Sequence, residues 1–65
     1  MKLTINGEPR EIEAATVAEA LAALDMAEAR VATALNGAFV PAAARDATPV
    51  TPGDALEIVA PMQGG

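Results

Sequence analysis

Met1, Leu3 and Ile5 alternate with Lys2 and Thr4, the period-two pattern of a strand with one buried face. Asn6-Gly7-Glu8-Pro9 follows as a turn, because Asn-Gly supplies the positive φ that a tight hairpin needs. Residues 10–13 predict a second strand with one large apolar residue, Ile12, between charges that suit an exposed edge. The period then changes. Thr16 with Glu19 three places on forms a capping box, and Val17, Ala20, Leu21 and Leu24 fall at i, i+3, i+4 and i+7. This predicts a helix over 17–25, followed by a connector to Arg30. Residues 31–36 read as a third strand, Asn36-Gly37 as a second tight turn, and Phe39-Val40 as a short fourth strand stopped by Pro41. Residues 42–48 suit a helical turn. Thr51-Pro52-Gly53-Asp54 fits a type II turn, and Leu56, Ile58 and Ala60 alternate with Glu57 and Val59 in a last strand that Pro61 ends.

The order ββαβββ implies an α+β domain in which one helix lies across a mixed sheet, the β-grasp or ubiquitin-like arrangement. Residues 1–61 make the domain and 62–65 a flexible Gly-Gly tail with nothing left to pair with. Composition thins the core. Of 34 apolar residues 17 are Ala, and Leu, Ile, Val and Phe total 14 of 65. A domain of this size is expected to be stable by only about 3–5 kcal/mol.

The absent residue types narrow the function. There is no Cys, His, Ser, Tyr or Trp. Thiol nucleophiles, thiolate or imidazole metal sites and the Ser-His-Asp arrangement are therefore excluded, which disfavours a self-contained enzyme and gives no catalytic residue. The formal net charge of −5 opposes nucleic acid and anionic membrane surfaces. No apolar run approaches the roughly 20 residues that span a bilayer, and the charged first 15 residues do not read as a signal peptide. The expected location is cytoplasmic. Glu8, Glu11 and Glu13 lack the spacing of a hard-cation loop and read as a solvated edge, so no metal site is expected. Lys2 reads as a solvated strand residue and Asp54 as a turn residue.

The end of the sequence carries the candidate chemistry. Two adjacent terminal Gly arise by chance roughly once in 200 chains, and on that fact alone they read equally as a frayed or added end and as a functional one. Gly-Gly lets backbone enter a narrow channel without a Cβ clash, and leaves the Gly65 carboxyl carbon unhindered. That carboxylate can attack the α-phosphate of ATP on an enzyme that binds ATP and Mg²⁺, making this chain a substrate or carrier. Phe39, Val59 and Met62 form a candidate partner-contact set. Each also admits a packing role, and Val59 becomes an anchor only if it faces away from Leu56 and Ile58.

Three stretches together resemble one family. Ala34-Leu35-Asn36-Gly37-Ala38-Phe39-Val40-Pro41, Pro52-Gly53-Asp54-Ala55-Leu56-Glu57-Ile58-Val59 and Gln63-Gly64-Gly65 look like the sulfur carriers of thiamine biosynthesis, the ThiS family. The opening strand and Thr16–Leu21 fit as well. The resemblance implies that an E1-like enzyme adenylates Gly65, with Gly64 giving access to its channel. Sulfur from a cysteine desulfurase then forms a thiocarboxylate, which thiazole synthase consumes. This chain would bind no cofactor itself. The Ala-rich 42–48 stretch and Met62, where a small or branched apolar residue is expected, are mild departures. Other readings stay open: the small subunit of a molybdopterin-synthase-like enzyme, a ubiquitin-like modifier joined to lysines, and a TGS-like regulatory module that would not need Gly64-Gly65.

Overall fold

A computed structural model describes residues 1–60. Five strands form one mixed sheet: β1 (Lys2–Ile5), β2 (Glu8–Glu11), β3 (Ala32–Leu35), β4 (Ala38–Val40) and β5 (Ala55–Val59). Their order across the sheet is β2-β1-β5-β3-β4. The last strand thus runs through the centre, parallel to β1 and antiparallel to β3. Helix α1 (Val17–Ala23) links the β1–β2 hairpin to β3, and a 3-10 segment (Ala42–Ala47) links β4 to β5. This is the β-grasp fold.

Alternation sets the two faces. Leu3, Ile5, Leu56 and Ile58 are buried on the helix side, where Val17, Ala20 and Leu21 meet them; Leu24 packs at the margin. The capping box forms as read. The Thr16 hydroxyl accepts the Glu19 N–H at 3.2 Å, while the Glu19 carboxylate accepts the Ala15 N–H at 2.8 Å. The helix is two residues shorter than expected. Leu24 is its C-cap, and Asp25 takes φ +63°, a left-handed conformation that a short polar side chain tolerates.

The second strand also differs from expectation. It spans Glu8–Glu11 rather than 10–13, because only Asn6 and Gly7 turn and Ile5 pairs directly with Glu8. Pro9 sits inside the strand opposite Thr4, which an edge strand permits because no ladder donor is required there. Ile12 lies past the strand yet is buried. At both hairpins Asn and Gly have positive φ: +51° and +85° at Asn6-Gly7, +50° and +86° at Asn36-Gly37. A Cβ at Gly7 or Gly37 would meet nothing within 4 Å, so the demand for glycine is conformational. The Thr51–Asp54 turn closes with Asp54 N–H donating to Thr51 O at 3.1 Å and Gly53 at φ +89°, as a type II turn requires.

One polar group enters the core. The Thr33 hydroxyl is buried, donates to Val40 O at 2.8 Å and accepts from Arg45 Nε at 3.3 Å. Arg45 also donates to Val31 O, so the 3-10 segment is fastened to β3 by a guanidinium.

Candidate functional site

The sheet has a second face that no helix covers. Val59 is 62% exposed beside buried Ile58, and Phe39 is 69% exposed beside buried Val40. The register places Phe39 opposite Ala34 and Ala34 opposite Glu57, one row across β4, β3 and β5. Ala32 and Val59 pair in the neighbouring row. Two strand spacings separate β4 from β5, about 10 Å. The alanines keep the surface between the two large side chains low, and Glu57 sets a carboxylate at the end of the Phe39 row. Beyond Val59 a shallow recess of about 350 Å³, largely apolar, is lined by Arg30, Val31, Ala32, Val59 and Ala60.

Val59 therefore faces away from Leu56 and Ile58, and the two exposed large hydrophobics share one face. Met62, Gly64 and Gly65 lie outside the described residues, as does the division into a domain and a tail at residue 61. Strand β5 joins the two parts of the candidate site. Leu56 and Ile58 anchor it in the core, Glu57 and Val59 mark its outer face, and it leads toward the Gly-Gly sequence.

The acidic edge has a structural use that composition did not reveal. The Met1 ammonium lies 3.1 Å from a Glu11 carboxylate oxygen and 3.1 Å from one of Glu13, and donates to Ile12 O at 3.1 Å. Hydrogen bonds that it donates to Glu13 and then to Glu11 raise the pKa of this amine above its ordinary value. Among the described residues no group of His, Cys, Asp or Glu could hold a metal ion, and no helix is long and apolar enough to cross a membrane. Asp54 serves its turn. Its carboxylate accepts the Thr51 N–H at 2.8 Å and the Asn36 amide at 3.1 Å, and the Thr51 bond, followed by the Asn36 one, holds its pKa low.

The sequence pattern marks Asn6 only as a turn residue, yet its carboxamide reaches β5. Its Oδ1 accepts the Ile58 N–H at 2.8 Å and its Nδ2 donates to Ile58 O at 3.0 Å. The available signal was the choice of Asn, at both hairpins, where Asp or Gly would also satisfy the turn.

Known proteins bear on the same residues. The chain is similar to the thiamine biosynthesis protein (ThiS) of Geobacter metallireducens, whose crystal structure matches at 43% identity over 100% of both chains with a TM-score of 0.83. An NMR solution structure of a thiamine biosynthesis protein from that organism matches at 43% identity and a TM-score of 0.79, over 100% of this chain and 88% of that one. No curated protein matches it significantly. The ThiS family model matches residues 3–65, from the first buried strand residue through Gly64-Gly65, and the chain belongs to the ThiS family.

Proposed function

We propose that this protein is a sulfur carrier whose reactive group is the Gly65 carboxylate. The observation that carries the reading is the reach of the family match: it runs through Gln63-Gly64-Gly65. The described residues suit a carrier. They offer a small, firmly laddered base, an exposed apolar face and no Cys or His to perform the chemistry.

The Gly65 carboxylate oxygen attacks the α-phosphorus of ATP on an E1-like partner, which holds the nucleotide and Mg²⁺. The bond to pyrophosphate breaks, and an acyl-adenylate forms. A persulfide supplied by a cysteine desulfurase attacks the acyl carbon and expels AMP. A thiol then cleaves the resulting acyl persulfide, leaving the thiocarboxylate on Gly65 and a disulfide on the donor side. On thiazole synthase the sulfur bonds to the acceptor, and water cleaves the acyl–sulfur bond, leaving sulfur on the acceptor and the carboxylate on Gly65. Gly64 gives the narrow approach such an active site demands.

Docking uses the uncovered sheet face, with Phe39 and Val59 as anchors and Met62 as a further contact. The face is continuous with β5, so a partner seated on it meets the strand that leads to Gly65. With a net charge of −5, association with a basic partner surface weakens as salt rises.

The test is a variant with one residue appended after Gly65. The reading expects ATP–pyrophosphate exchange on the E1-like partner with the unextended protein and none with the extended one. Undiminished exchange with the extended protein overturns it. The same assay separates a TGS-like module, which would give no exchange with either.

A further inference from the structure

The two Asn-Gly turns share a sequence and a backbone conformation, but their side chains hold opposite ends of β5. Asn36 holds the beginning: its Oδ1 accepts the Ala55 N–H at 2.9 Å, and its Nδ2 donates to the Asp54 carboxylate. Asn6 holds the other end through both polar groups of Ile58.

The geometry explains why Ile58 needs this. Strand β1 pairs with β5 at Thr4↔Ala55 and Ile5↔Leu56, and the Asn6 N–H donates to Leu56 O at 3.0 Å. There β1 turns away into its hairpin, three residues before β5 ends. On the other side β5 remains paired, with Val59 opposite Ala32. Ile58 is a buried residue of the central strand, and its N–H and C=O would lose their β1-side partner. A carboxamide carries one acceptor and donors on the same plane, like a peptide unit. The Asn6 side chain supplies the missing rung, so β5 stays bonded on both sides up to its last residues. Asp at this position would accept from the Ile58 N–H but would set a carboxylate oxygen against the Ile58 carbonyl. Gly would keep the turn and lose both bonds.

We propose that Asn6 is a positioning residue for the carrier reaction: its carboxamide fixes the direction in which β5 leaves the sheet and so presents the residues after Val59 to the adenylating partner. This rests on the carrier reading above. The residue touches no reacting atom. It acts through Ile58, whose backbone it holds in the sheet, and so sets the point from which the partner receives the chain.

The experiment compares Asn6→Gly with Asn36→Gly. Glycine adopts the left-handed turn conformation freely, so both hairpins persist, and thermal melts of both variants set the comparison of stability. In Asn6→Gly the exchange rate of the Ile58 amide, read by NMR, rises about tenfold. In the pyrophosphate-exchange assay kcat falls about tenfold while KM stays within about twofold, because the docking face is untouched. Asn36→Gly leaves Ile58 protection and kcat near wild type. If Asn6→Gly does not fold, Asn6→Asp keeps the turn and one of the two bonds, and is expected to lower kcat in the same direction. Wild-type kcat in the Asn6 variants, or an equal fall in Asn36→Gly, overturns the proposal. Wild-type protein that supports no exchange at all overturns the carrier reading instead.

Discussion

Replacing Phe39 with Ala separates docking from folding. The ring is 69% exposed and stands on the face opposite the core, so its loss changes folding stability by less than about 0.5 kcal/mol. Its effect on association is larger. A buried aromatic side chain removes about 150–250 Å² from water, of which roughly 100–170 Å² is still available on Phe39 at this exposure. At about 25 cal/mol per Å² that is about 2.5–4 kcal/mol. Alanine keeps a little of this area and a partner covers less than all of it, which leaves about 1.5–3 kcal/mol, or about 10- to 150-fold in affinity. The assay is steady-state pyrophosphate exchange over a range of carrier concentrations, with a urea melt of the same sample. The expected result is a KM raised by that factor, a nearly unchanged kcat and an unchanged melt. A KM within about twofold of wild type would refute the assignment of this face to docking.

Two further outcomes follow from the same structure. Leu56→Ala removes a fully buried side chain from the central strand, costing about 2–5 kcal/mol against a total expected near 3–5 kcal/mol, so a large unfolded fraction should appear by circular dichroism without denaturant. The Met1 amine has a raised folded pKa, so its stabilising contribution is complete below its unfolded value of about 8 and is lost as pH rises through the folded one. Urea midpoints of wild type should therefore fall more between about pH 7 and pH 10 than those of a Glu11→Gln, Glu13→Gln double variant, and parallel curves would remove the Met1 contribution.

Elements with strong local chemistry were legible in the sequence. Thr16 and Glu19 announce a helix start because the cap needs an oxygen acceptor and a carboxylate at that spacing, and both bonds are made. The stripe Val17, Ala20, Leu21 and Leu24 names the face that meets the core. Asn-Gly and Pro-Gly mark turns through φ, which sequence encodes directly. Features set by tertiary context were not. Pro9 reads as part of the first turn until its strand is known to lie at the edge. Ile12 is buried outside any strand, and Asp25 ends the helix in a conformation that many other sequences would also permit. The partners of Arg45, the Met1 ammonium and Asn6 lie 10 to 52 residues away along the chain, beyond the reach of any local pattern. For the candidate site, alternation located Val59 on the outer face only once Leu56 and Ile58 were known to face the helix. Phe39 joined it through the pairing of β3 with both β4 and β5.

The measurement that tests the account most directly is the mass of the protein, intact and fragmented, after incubation with ATP, Mg²⁺, an E1-like partner, a cysteine desulfurase and cysteine. The account predicts an oxygen-to-sulfur mass increase confined to the C-terminal fragment and dependent on ATP. A C-terminal fragment of unchanged mass, from protein that is folded and binds the partner, would contradict it.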